Sequence, residues 1–215
     1  MMFVAKRMTA NPVIVLPDTS IAEAKEIMSK NKFRRLPVLQ DGTLLGIITD
    51  RDLREVAPSP ATTLSKHEAN YLLDKVLVRD IMKKKVLTIY AAATIEEAAL
   101  IMYREKIGGL VVLDDQDGVV GIITETDIFK CFVDVMGLAQ GKTRITIGVT
   151  NKVGVLHDIT GVFQELGINI SSLVLLNSEE GQSQDIIRAD VDDVETLTKK
   201  LNEHGYPVLH IAKIG

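Results

Sequence analysis

Apolar positions along the first 135 residues recur at helical spacing in two places. In "SIAEAKEIMSKN", from Ser20, residues Ile21, Ala24, Ile27 and Met28 stand three or four apart, on one helical face. "TIEEAALIMYRE", from Thr94, repeats the spacing with Ile95, Ala98, Ile101 and Met102. Ser20 with Glu23, and Thr94 with Glu97, have capping-box spacing, in which each side chain satisfies the other's free helix-end amide. A short apolar run precedes each helix ("PVIV", "VLTI"). After each come "RLPVL" or "GLVVL", an Asp-Gly turn, "LLGIIT" or "VVGIIT", and a second helix. The pattern predicts a β-α-β-β-α unit of about 50 residues, built twice.

Sliding the chain against itself makes the duplication explicit. Met8 falls on Met82, Val15 on Ile89, Ile21 on Ile95, Ala24 on Ala98 and Met28 on Met102. One residue is added in the turn, and "GIITDRDL" from Gly46 then matches "GIITETDI" from Gly121. Between the copies, "REVAPSPATTLSKHEANYLLDKV" opens as a proline-marked loop and restarts as a helix, with Ser65 and Glu68 at capping-box spacing. The repeat stops after "MGLAQGK", which places a boundary near Gly141. The remainder reads β-α-β-β-α-β, the ferredoxin-like order. Its first helix carries the stripe Val155, Ile159, Val162, Phe163 and Leu166 and stops at Gly167; the second runs from Asp192 to His204, with Asp192 and Glu195 as its start. The expected class is α/β of the α+β type. Its segments are 1–58 and 76–136 for the repeats, 59–75 for the connector and 142–215 for the last domain.

Two units that each close with Gly, two apolar residues, Thr, two free positions and Asp resemble a tandem pair of CBS domains, the Bateman module. The loop "TNKVGVLHDITGVFQELGINI" resembles the signature of an ACT domain, a small regulatory module that often binds amino acids. Asn151, Lys152, Gly154, Val155, Leu156, Gly167, Asn169 and Ile170 match that signature in type or nearly so. Asn151 stands where an Asp is common, and Val153 where a Pro is common. The order CBS-CBS-ACT resembles the acetoin-utilisation regulatory proteins of the AcuB type.

Two readings of the repeated phrase stand side by side. Thr49 with Asp52, and Thr124 with Asp127, fit a helix N-terminus in which threonine caps and the acid answers. The same geometry presents a hydroxyl, helix-end amides and a carboxylate to a sugar phosphate. Gly46 and Gly121 would admit a ligand or a neighbouring strand close to the backbone. The CBS resemblance implies an adenine nucleotide (AMP, ATP or adenosylmethionine), with Thr49, Asp52, Thr124 and Asp127 on ribose and phosphate. It also implies that Leu36, Pro37 and Val38, with Leu110, Val111 and Val112, edge the base. The first copy has Arg34, Arg35 and Arg51 where the second has Gly108, Gly109 and Thr126; the second has Lys83, Lys84 and Lys85 against Thr9, Ala10 and Asn11. Arginine forks suit phosphate, which favours the cleft ending in Asp52, unless one cleft borrows cations from the other copy. In the last domain, amides after Gly154 suit an amino acid carboxylate. The ACT resemblance implies a site at Asn151, Gly154, Val155, Leu156, Asn169 and Ile170.

Composition narrows the class. The chain is 46% hydrophobic and 25% charged with a net charge of −4, which gives no general reason to bind nucleic acid or anionic lipid. The longest uncharged apolar run, "IGGLVVL", is too short to span a bilayer, and "MMFVAKRM" lacks the apolar stretch of a signal peptide. The single cysteine, Cys131, forms no internal disulfide and suits a reducing cytosol. Histidines at 67, 157, 204 and 210 have no metal-ligand spacing, and no nucleophile or phosphate-loop motif occurs. The expectation is a cytoplasmic, homodimeric, non-enzymatic sensor with no metal and no required cofactor. It would bind an adenine nucleotide in the repeats and an amino acid in the last domain, and act on a partner protein in acetoin or related carbon catabolism. The alternative is a ligand-free adaptor whose domains only oligomerise.

Overall fold

The computed structural model describes residues 2–56, 73–138, 142–150, 152–176 and 182–213. Most of the connector, with Ser65 and Glu68, lies outside the described residues, as do Gly141 and Asn151. The chain forms two compact units, Met1–Ile128 and Phe129–Gly215. No helix among the described residues is long and apolar enough to cross a membrane.

In the first unit a 3-10 turn at Val4–Lys6 leads into β1 (Thr9–Ala10). The first repeat contributes α1 (Ile21–Asn31), β2 (Arg35–Gln40), β3 (Thr43–Thr49) and α2 (Asp50–Val56). The second contributes α3 (Val78–Ile81), β4 (Thr88–Tyr90), α4 (Ile95–Glu105), β5 (Gly109–Leu113), β6 (Val119–Thr124) and α5 (Glu125–Val135). Thr94 and Glu97 close a complete capping box on α4, whereas Ser20 makes half of one on α1, accepting from the Glu23 amide at 3.1 Å. The stripes lie inward as the spacing predicts: Ile21, Ala24 and Met28 are buried, as are Ile95, Ala98 and Met102. The strand expected at "PVIV" shrinks to one bridge, Val15 to Val38, where "VLTI" supplies the three-residue β4. Pro12 and Pro17 flank it, and neither has an amide to donate to a ladder.

The repeats exchange edges. β1 pairs antiparallel with β6 of the other copy, Thr9 opposite Ile122 and Ala10 opposite Gly121, giving the order β1-β6-β5-β4. Reciprocally, Lys83 bridges Ile47 on β3, with both backbone bonds made, at 3.0 and 2.9 Å. This exchange explains the two matching glycines. A methyl carbon on Gly46 would meet Met82 Sδ at 2.7 Å and the Lys83 carbonyl at 3.0 Å; on Gly121 it would meet Met8 Sδ at 2.5 Å and the Thr9 carbonyl at 3.0 Å. A neighbouring strand, rather than a ligand, takes the space.

The second unit is β7 (Thr143–Thr150), α6 (Val155–Glu165), β8 (Ile170–Leu176), β9 (Gln182–Ala189), α7 (Val194–Glu203) and β10 (Val208–Lys213). Its sheet, ordered β10-β7-β9-β8, is antiparallel throughout. One face buries Ile145, Ile147 and Ile187 against Ile159, Phe163, Leu197 and Leu201 of the two helices. Gly167, at φ +66°, ends α6 as expected. The start of α7 is shifted by one residue from the reading at Asp192. Asp193 is the cap, accepting from the Thr196 amide at 3.0 Å and hydroxyl at 2.6 Å.

Candidate functional site

A cleft of about 340 Å³ in the first unit is assembled from both repeats. The junction of β6 and α5 contributes Thr124, Glu125, Thr126 and Asp127, joined by Ile122 and Gly108. The first copy contributes Lys32, Phe33, Arg34 and Arg35, and the segment around β1 adds Thr9, Pro12 and Val13. Asp127 Oδ2 accepts from the Thr124 amide at 2.8 Å and the Thr124 hydroxyl at 2.7 Å. The cap reading of the phrase therefore holds. The carboxylate is nevertheless half-buried on the cleft wall with these bonds on one oxygen.

Arg35 reaches this site because the second copy has no side chain in its way. A methyl carbon on Gly109 would overlap the Arg35 guanidinium and stand 2.8 Å from the Ile123 carbonyl. One on Gly108 would lie 2.9 Å from Arg35 Nη2 and 3.1 Å from Glu125 Oε2. Burial lowers the Arg35 pKa, opposed by the charges of Glu125, Asp50 and Asp127. A guanidinium so held stays charged at neutral pH.

The equivalent position in the first copy is closed. Asp52 is 5% exposed, and its Oδ2 accepts from the Thr49 amide at 2.8 Å and the Thr49 hydroxyl at 2.5 Å. Its Oδ1 pairs with Lys83 Nζ, from the other copy, at 3.1 Å. Burial alone would raise the Asp52 pKa, but hydrogen bonds from Thr49 and Lys83, with the Lys83 charge, bring the net shift down. Of the three arginines that favour the Asp52 side in the sequence, Arg34 and Arg35 line the Asp127 cleft instead. Arg51 is exposed and pairs with Glu55 at 3.1 Å, away from that cleft.

The residues expected to edge a base do not line this cleft. Leu36, Val38, Leu110, Val111 and Val112 are fully buried, Pro37 is buried, and none lines the cleft. Strands β2 and β5 are covered on both faces, so their apolar runs belong to cores. Pro12, Val13, Phe33 and Ile122 supply the apolar wall instead.

Comparison with known proteins agrees with this architecture. The CBS domain profile matches residues 4–59 and 78–134, more than half of the chain, and the ACT domain profile matches 143–205. The chain belongs to the CBS domain family. It carries a tandem CBS pair followed by an ACT domain. The crystal structure of a putative acetoin utilization protein (AcuB) from Vibrio cholerae is similar, with 28% identity and a TM-score of 0.53 over 65% of this chain and 96% of that one. CBSX2 in complex with AMP is 27% identical, with a TM-score of 0.52 over 63% of this chain and 99% of that one. A CBS domain-containing protein of Dictyostelium discoideum is 36% identical over 55% of this chain and 83% of its own length. The chain spans only 46% of an uncharacterised Methanocaldococcus jannaschii protein that is 34% identical over 57% of this chain.

The ACT domain has a hollow of its own, about 240 Å³, at the N-terminus of α6. Gly154, Val155 and Leu156 line it, with Val149, Lys152, His157, Leu175, Ser183 and Asp185. Asn169 is exposed and Ile170 packs on the core; neither lines the hollow. Asp185 was missed in the sequence. It is 3% exposed, its Oδ2 has no hydrogen-bond partner, and burial raises its pKa. The signal was legible: in "SQDIIRADV" it shares the alternating parity of Ile187 and Ala189, which face the helices.

Proposed function

We propose that the chain is a non-enzymatic regulatory sensor that binds an adenine nucleotide in the Asp127 cleft of its CBS pair. One observation carries the reading: Arg34 and Arg35 of one repeat face the Thr124-Asp127 helix start of the other across one hollow. Cationic forks suit phosphate, a carboxylate suits ribose hydroxyls, and the Pro12, Val13 and Ile122 wall suits a base. The AMP complex of CBSX2, and the complex of the MJ0100 CBS pair with 5′-methylthioadenosine and S-adenosyl-L-methionine, support this ligand class. The MJ0100 pair is 28% identical, with a TM-score of 0.50 over 60% of this chain and 98% of that one.

The ACT domain takes an amino acid in this scheme. The helix-start amide at Leu156 receives its carboxylate, and the unpartnered Oδ2 of Asp185 receives its ammonium. The output is a shape change passed by a cytoplasmic homodimer to a partner protein, and the AcuB likeness points to acetoin or related carbon catabolism. Only a difference in affinity between two conformations drives such a switch, and a tenfold difference supplies about 1.4 kcal/mol. Calorimetry with AMP, ATP and adenosylmethionine on the wild type and Asp127→Ala tests the reading. Saturable binding that falls at least tenfold in the variant is expected. Silence with all three ligands overturns it in favour of the ligand-free adaptor.

A further inference from the structure

The two clefts of the CBS pair differ at one pair of equivalent positions with a direct electrostatic consequence. Lys83 stands opposite Ile47 on β3, and Thr9 stands opposite Ile122 on β6; the repeat superposes Lys83 on Thr9 and Ile47 on Ile122. Each residue is lent by one copy and lies on the helix-start aspartate's side of the other. From position 83 a lysine reaches Asp52 at 3.1 Å. From position 9 a threonine lines the cleft that Asp127 also lines, and has neither the length nor the charge to neutralise it.

We propose that Lys83 is a built-in counter-ion that seals the Asp52 side, and that Thr9 leaves the Asp127 side open, so that the CBS pair takes one nucleotide per chain. The inference rests on the nucleotide reading above and adds its stoichiometry and the residue that sets it. A second asymmetry acts the same way. The Asp127 side receives Arg35, while the equivalent residue available to the Asp52 side is Gly109. The cation of the Asp52 side is thus spent on its own carboxylate, and those of the Asp127 side face a hollow. Burial of Asp52 to 5% exposure leaves no carboxylate edge for a sugar to reach.

The test is calorimetry with AMP on the full chain, in wild type, Thr9→Lys and Thr9→Met, each checked for an unchanged thermal melt. Wild type is expected to bind one AMP per chain. Thr9→Lys places an ammonium against Asp127 and is expected to weaken AMP at least tenfold. Thr9→Met, of similar reach without charge, separates bulk from charge and is expected to bind AMP several-fold more tightly than Thr9→Lys. Two AMP per chain in wild type overturns the inference and leaves the nucleotide reading standing. So does a Thr9→Lys protein that binds like wild type, or a Thr9→Met protein that loses binding as fully as Thr9→Lys. No binding of AMP, ATP or adenosylmethionine by wild type removes both.

Discussion

The two CBS repeats share a capping aspartate, a conserved-spacing glycine and an exchanged edge strand, yet they present opposite electrostatics. In the first, Asp52 is sealed by Lys83; in the second, Asp127 stays on the wall of a hollow that Arg35 enters. Neither difference lies in the phrase that identifies the repeat. One lies on the exchanged edges, at Lys83 and Thr9, and the other at the start of β2, where Arg35 extends over Gly108 and Gly109 of the other copy. Duplication has preserved the scaffold, a cap plus a strand exchange, and the chemistry has diverged at positions 9 and 83 and at 35 and 109. Similarity within the repeat therefore reports the fold, and dissimilarity reports the site.

The comparison is broken most directly by removing each aspartate. Asp52→Ala deletes the acceptor of the part-buried Thr49 amide and hydroxyl and leaves the exposed Lys83 ammonium without its partner. It should cost about 2 kcal/mol in chemical denaturation, the sum of a lost cap and a lost charged hydrogen bond. Asp127→Ala removes the same cap without the ion pair and should cost about 1 kcal/mol. Equal losses would mean that Lys83 contributes nothing to the first copy. The binding effects run the other way, with AMP affinity lost in Asp127→Ala and nearly retained in Asp52→Ala.

Acid sharpens the contrast. The folded-state pKa of Asp52 lies below its unfolded value, so the folded protein binds fewer protons there than the unfolded chain. That stability is present above the ordinary carboxylate pKa and is lost as pH falls through the depressed folded value. Wild type should therefore destabilise more steeply than Asp52→Asn on acidification from about pH 5. Denaturation midpoints across that range measure it, and parallel curves would mean that the Lys83 and Thr49 contacts do not hold the charge.

Much of this molecule was legible because its signals are local. Thr94 with Glu97, Gly167, and the inward stripes of α1, α4 and α6 all depend on residues within a turn or two of each other. The site was not local. Arg35 looked like a property of the first copy because it follows α1 in the chain, and only the edge exchange and the space above Gly108 and Gly109 bring it to Asp127. The CBS resemblance places Leu36 to Val38 and Leu110 to Val112 at a base slot, and an apolar run reads the same whether it faces a ligand or a core. All six are buried and none lines the Asp127 cleft. Pro12 and Val13, read as part of a strand, became cleft wall once the flanking prolines limited pairing to Val15.

The smallest effect separates stability from binding at one more equivalent pair. Both first helices of the repeats stop on a lysine in the left-handed conformation, Lys32 at φ 56° and Lys106 at φ 54°. Glycine takes this conformation without the Cβ clash, so Lys→Gly at either site should stabilise by up to about 1 kcal/mol. Lys32 also lines the Asp127 cleft, and Lys106 does not. Lys106→Gly should therefore raise the melting midpoint and leave AMP affinity unchanged. Lys32→Gly should raise the midpoint by a similar amount while weakening AMP several-fold, because a cation beside the phosphate is gone. If both variants bind AMP like wild type, phosphate does not reach the end of α1, and the ligand is held by Arg34 and Arg35 alone.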